Sequence, residues 1–146
     1  MNRKSVLVGN MHTPEICPKQ ISRIMDFNFE NELKNKIALV TGGSKGAGKA
    51  IADRLLNAGA TVIITARNKP EEENGNIHFI GADLSRPEGT QKVVDEIIKK
   101  FGRLDILVNN MGGSETPGGG FAVLSDQDWE LSFQANFLAP VRLDRG

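Results

Sequence analysis

The 146-residue chain contains no tyrosine, one cysteine and two histidines, and its 18 basic side chains are balanced by 18 acidic ones. Each scarcity closes a route. Cys17 alone cannot form an intramolecular disulfide, which suits a reducing compartment. A formal net charge of zero offers no basic field to nucleic acid or to an anionic membrane surface. No apolar run approaches the roughly 20 residues of a membrane span. Val6, Leu7 and Val8 fall short of a signal peptide's apolar core of about 7 to 15 residues. The expectation is a cytoplasmic protein with no nucleic-acid partner, no membrane partner and no metal site.

What is present is ordinary for one globular domain: 39% hydrophobic and 25% charged residues. Residues 1 to 33 mix His12, Pro14, Pro18 and several asparagines without period and read as an irregular arm, within which Met11 or Met25 could equally be the start. The pattern changes at Lys36. Ile37, Ala38, Leu39 and Val40 form the continuous apolar run of a strand buried on both faces, and Thr41 and Gly42 end it. Ala47, Ile51, Leu55 and Ala58 then recur at helical spacing, with Gly59 suited to a C-terminal cap.

Residues 61 to 65 (TVIIT) predict a second strand, followed by a polar stretch with three consecutive glutamates. Residues 77 to 80 predict a third. Ser85 and Glu88 have capping-box spacing before a helix carrying Val93, Val94, Ile97, Ile98 and Phe101, which should stop at Gly102. Residues 105 to 109 (DILVN) predict a fourth strand, then a glycine-rich loop from 111 to 120 that includes Pro117. Ser125 and Asp128 predict the start of a last helix with Trp129, Phe133 and Phe137 on one stripe, and Pro140 should kink it. Strands alternating with helices predict an α/β fold, a doubly wound parallel sheet with right-handed crossovers.

Thr41 to Gly48 reads TGGSKGAG, placing Gly42, Gly46 and Gly48 between the first strand and its helix. That position suits a pyrophosphate, because glycine tolerates the tight turn and leaves the backbone approachable. The helix N-terminus behind it offers unpaired N–H groups. The same letters nearly spell a triphosphate-binding loop, since Gly43, Gly48 and Lys49 satisfy G-x-x-x-x-G-K. Ala50 breaks that match, for it lacks the hydroxyl that would hold Mg²⁺.

TGxxxGxG after the first strand, Asp83-Leu84 after the third, Asn109-Asn110-Met111-Gly112 after the fourth and Asn136 in the next helix together resemble the short-chain dehydrogenase/reductase superfamily. The resemblance covers about residues 34 to 146. It implies a Rossmann-like domain, incomplete at its C-terminal half, with the cofactor over Gly42, Ser44, Lys45, Gly46, Ala47 and Gly48. Asp83 would bond the adenine and the backbone of Leu84 would approach it. Asn109 would tie the sheet together, while Asn110 and Gly112 contact the adenosine ribose.

An NAD enzyme of this fold places an acid about 20 residues past the glycines to accept bonds from the ribose 2′-hydroxyl. Here Arg67 stands there, and its fork suits a 2′-phosphate beside the charge of Lys45 and the hydroxyl of Ser44. NADP is therefore expected over NAD. The resemblance further implies hydride exchange with a small carbonyl or alcohol substrate, a homo-oligomer for the full-length enzyme, and a Y-x-x-x-K pair whose lysine lowers a tyrosine pKa from about 10. Of that catalytic set only Asn136 is present. In the family this residue kinks its helix, and its carbonyl holds a water. The reading is an oxidoreductase truncated before its tyrosine and inactive alone, with residues 105 to 109 left as an exposed sheet edge. The alternative is a non-catalytic NADP-binding module completed by another chain.

Overall fold

A computed structural model of the protein describes residues 31–70, 75–113 and 118–146. The expectations for Cys17, for most of the arm, for the glutamates at 71 to 73 and for Pro117 lie outside those residues.

Four parallel strands, β1 (Ile37–Thr41), β2 (Thr61–Ala66), β3 (Ile77–Gly81) and β4 (Ile106–Val108), form one sheet in the order β3-β2-β1-β4. Every residue of β1 is buried, as its unbroken apolar run requires of a strand covered on both sides. Side chains alternate between two cores. Ala38, Val40, Val62 and Ile64 pack with Ala52 of helix α1 (Gly46–Asn57) on one face. Leu39, Ile63 and Ile80 pack with Val93 and Ile97 of α2 (Pro87–Phe101) and with Leu143 on the other. Burying each such large side chain contributes about 1.5 to 3 kcal/mol. Helices thus cover both faces, and the doubly wound α/β architecture is the one expected.

The chain reverses direction across the sheet between β1 and β4, so the loops leaving those two strands flank a crevice at the C-terminal ends. That is where ligands bind in open α/β sheets. Beyond β4 come a short 3₁₀ turn (Phe121–Val123), α3 (Asp126–Phe133), a π-helical turn (Gln134–Leu138) and α4 (Ala139–Arg145). Ser125 caps α3 as expected and closes a capping box with Asp128, Gly59 takes the expected left-handed φ of 89°, and Gly102, at the expected end of α2, has a φ of 75°.

Two expectations need correcting. Ser85 and Glu88 make no capping box: Arg86 is the N-cap without a side-chain bond, Pro87 opens α2, and the Ser85 hydroxyl bonds Asp83 instead. Pro87 suits the first turn of a helix because it has no N–H to satisfy there. Ile98 points outward at 51% exposure while its neighbour Ile97 is buried. The helix is irregular at the π turn directly before Pro140, which sits in the first turn of α4. The DILVN segment does lie at an edge of the described sheet, with Ile106, Leu107 and Val108 all half-buried.

Candidate functional site

The glycine loop is shaped by what a side chain would strike. Gly42 and Gly46 hold left-handed φ values of 65° and 58°, where other residues are strained. Gly48 is buried, and a Cβ on it would lie 2.2 Å from the Gly42 carbonyl oxygen and 2.5 Å from Nδ2 of Asn110. Helix α1 therefore starts directly against the turn. Around Gly46 nothing lies within 4 Å of a built Cβ, so that part of the loop faces open space. Lys45, the N-cap of α1, and Ala47 are exposed, and Ser44 is half-buried beside them. The result is a shelf of backbone at a helix N-terminus with a lysine at its rim.

Thr41 joins this shelf to β4. Its hydroxyl donates to the Val108 carbonyl at 3.2 Å and accepts from the amides of Asn110 at 3.0 Å and Met111 at 2.8 Å. The Asn110 side chain donates to the carbonyls of Thr41 at 2.9 Å and Gly42 at 3.3 Å. Here the structure corrects the sequence reading, because the asparagine that ties the sheet is Asn110. Asn109 instead donates to Asp144 of α4 at 3.2 Å. Alternation explains the exchange: the side chain following Val108 points toward the face that α4 covers, and the next one returns to β1.

Asp83 lies past β3 at the same end of the sheet. Its Oδ1 accepts from the Ser85 hydroxyl at 2.7 Å and the Ser85 amide at 3.1 Å, and Arg86 stands 3.7 Å from Oδ2. The hydroxyl bond, helped by that amide and by the cations of Arg67 and Arg86, holds the carboxyl below its ordinary value, against partial burial that pushes it up. Arg67, exposed just past the end of β2, is thus electrically coupled to Asp83. Leu84, next in the chain, is buried in the core at 2% exposure.

Asn136 sits within the π turn, and its side chain clamps the loop after β4. Oδ1 accepts from the Gly113 amide at 2.9 Å, and Nδ2 donates to the carbonyls of Gly113 at 2.9 Å and Ser132 at 2.8 Å. A Cβ on Gly112 would approach that Oδ1 to 2.9 Å. Pro140, four residues on, has no N–H to offer the Asn136 carbonyl.

Gly42 to Gly48, Asn110 and Gly112 are therefore brought together at the switch point, Asp83 and Arg67 stand toward the β3 side, and Asn136 reaches the group through Gly113. Sequence reasoning missed Thr41, whose hub of bonds no spacing announces, and Gly89, whose need for glycine is tertiary. A groove of about 370 Å³ between α2, β4 and α4, lined by Leu39, Ile97, Leu107 and Leu143, lies apart from the glycine loop. Among the described residues no helix is long and apolar enough to cross a membrane.

Residues 36–145 match the model of the short chain dehydrogenase family, and the chain belongs to that family. It is 34% identical over 122 residues to the uncharacterized oxidoreductase YvrD of Bacillus subtilis, a match covering 78% of this chain and 45% of that protein. Among solved structures it resembles the NADP active-site complex of Pseudomonas aeruginosa RhlG at 34% identity and TM-score 0.66, over 80% of this chain and 47% of that one. It also resembles the 3-ketoacyl-(acyl-carrier-protein) reductase of Brucella melitensis complexed with NADH at 28% identity and TM-score 0.69, over 77% and 49%. The chain thus spans about half the length of the proteins it matches. The chain therefore has the fold of an oxidoreductase family, and the relatives it matches in part are oxidoreductases and reductases.

Proposed function

We propose that these 146 residues form the NADP-binding part of an oxidoreductase that moves a hydride between the nicotinamide and a carbonyl or alcohol carbon of a small molecule. The nucleotide rests on Gly42, Ser44, Lys45, Gly46, Ala47 and Gly48, with Asp83 and the Leu84 backbone at the adenine and Asn110 and Gly112 beside the ribose. The observation that carries the cofactor preference is Arg67: the position past β2 where an NAD enzyme needs an acceptor carboxylate holds a guanidinium instead, exposed and near Lys45's end of the sheet. Both cofactors occur among the solved relatives, with NADP on RhlG and NADH on the Brucella reductase, so the preference rests on this chain's own side chains.

The 146 residues hold no tyrosine, and hence no Y-x-x-x-K pair. Asn136 alone exchanges no proton with a substrate, so this chain by itself is proposed to bind NADP without turning it over, in an aqueous, reducing compartment such as the cytoplasm. Arg67→Asp is the test. Removing a charge-assisted bond and adding a like charge should weaken NADPH binding about tenfold to a hundredfold while NADH binding holds or improves, as read by calorimetric titration. Unchanged NADPH affinity would sink the NADP assignment. A measurable rate of NADPH oxidation by the purified chain with any simple aldehyde would sink the inactivity.

A further inference from the structure

We propose that Gly89 is a positioning residue for the adenine end of the cofactor site, acting through the peptide of Asp83 on which the first turn of α2 rests. This rests on the proposed placement of the adenine at Asp83 and adds the element that holds Asp83 there.

Gly89 is not glycine for conformational reasons, since its φ is not in the left-handed region. It is glycine for space. A Cβ built on it would lie 2.0 Å from the Asp83 carbonyl oxygen, 2.7 Å from the carbonyl carbon and 3.3 Å from the Asp83 nitrogen. All three atoms are backbone, so no rotamer change relieves the clash, and the two segments would have to part by about 1 Å.

Which segment yields is decided by packing. Helix α2 is pinned by Val93 and Ile97, at 0% and 2% exposure, within the core that also holds Leu39 and Ile63. Its first turn is stitched by the Thr90 hydroxyl to the Pro87 carbonyl at 2.8 Å and by the Gly89 amide to the Arg86 carbonyl at 3.1 Å. The Asp83 turn is anchored in the same core through Leu84, at 2% exposure, but Asp83 itself is held more lightly. Its carbonyl accepts from the Arg86 amide at a long 3.3 Å, and its carboxylate hangs on Ser85 and a distant Arg86. The strain of a methyl group at 89 therefore falls on Asp83, moving the acceptor oxygens that would meet an exocyclic amine. Gly89 itself touches no nucleotide.

The signature of that role is specificity for the purine. Calorimetric titration of the purified full chain with NADP and with its hypoxanthine analogue, in which the 6-amino group is a carbonyl, measures what the Asp83 acceptor contributes. The wild-type chain should favour NADP about tenfold. Gly89→Ala should bring that ratio toward one, and in an Asp83→Asn background the same change should leave the ratio where Asp83→Asn alone puts it. Gly81→Ala, whose Cβ would meet only the Phe79 ring at 3.4 Å, serves as the control and should keep the wild-type ratio.

A Gly89→Ala chain that discriminates as well as wild type overturns the inference alone. So does one that loses affinity for both nucleotides in equal proportion, or its cooperative melt, because the residue would then hold the fold and not the site. A wild-type chain that binds NADP without discriminating overturns the adenine reading of Asp83 and the inference with it.

Discussion

The two sides of β1 are held in different ways. Toward β2, residues 38 to 40 and 62 to 64 are all buried, in register, under helices on both faces. Toward β4, the neighbouring strand is three residues long and half-exposed throughout, and past it Trp129, Leu131, Phe133 and Phe137 each show more than half their surface to solvent. One side is secured by apolar burial and the other by polar clamps: the Thr41 hydroxyl, the Asn110 amide and the Asn136 side chain on Gly113. The proposed cofactor shelf straddles both, so its halves should respond differently to damage.

The largest effect should come from the buried side. Ile63→Ala opens a cavity where nothing can collapse without dragging β1, and should lower stability by about 3 to 4 kcal/mol in a denaturant titration. Gly48→Ala comes next. Its methyl group meets a carbonyl oxygen and the Asn110 amide, so a loss of about 3 kcal/mol together with a broken nucleotide shelf is expected from melting and NADPH titration. If either change cost less than about 1 kcal/mol, the contrast drawn between the two sides would fail.

Thr41→Val probes the seam. It keeps the shape while removing the acceptor for two amides and the donor to Val108, so a loss of about 2 kcal/mol is expected, with hydrogen exchange at Asn110 and Met111 accelerated more than at β2. Equal acceleration across the sheet would show that β4 is not held separately.

These differences were unequally legible in the sequence. The runs IALV and TVIIT announce strands, the first of them buried on both faces, and Gly42, Gly46, Gly59 and Gly102 stand where turn and cap chemistry demands left-handed backbone. What lay beyond reach was tertiary. A capping box is a local pattern, and at Ser85 it lost to a nearer acceptor, the Asp83 carboxylate. Which of Asn109 and Asn110 faces β1 depends on where β4 stops, a matter of one residue. The π turn at 134 to 138 and the closeness of Gly89 to Asp83 arise from how helices dock, which periodicity does not encode. The motifs of the candidate site could be read in order, but not which of their atoms the fold itself consumes.

Acid should act through two carboxylates that tie turns to the sheet, Asp83 past β3 and Asp105 before β4. Asp83 and Asp105 both titrate below their ordinary value of 3.8, Asp83 chiefly through the Ser85 hydroxyl and Asp105 chiefly through the Ile37 amide. A depressed carboxylate pKa means that the unfolded chain binds protons more readily, so this stability is fully present above pH 3.8 and is lost as pH falls through the folded values. His78 has the same sign for another reason: burial first, then Lys100, lowers it from 6.5, so its contribution is complete above that value and declines below it. Melting midpoints should therefore sag slightly below pH 6.5 and more steeply below 3.8. Asp83→Asn should flatten the steeper part, and an unchanged slope in that variant would assign the acid sensitivity elsewhere.

The smallest effect is expected on the outer stripe. Trp129, at 53% exposure, is the only tryptophan, so its emission should resemble that of a solvated indole and be quenched readily by iodide. Phe133 stacks on Phe137 with ring centroids 4.8 Å apart, yet both remain 53% exposed, so Phe133→Ser gives up one aromatic contact and little burial. A stability change within about 1 kcal/mol follows, several-fold below that of Ile63→Ala. If this surface meets other molecules in solution, the comparison sharpens: blue-shifted, iodide-protected emission that reverts on dilution would mean that the β4 side, too, relies on apolar burial, supplied from outside the domain.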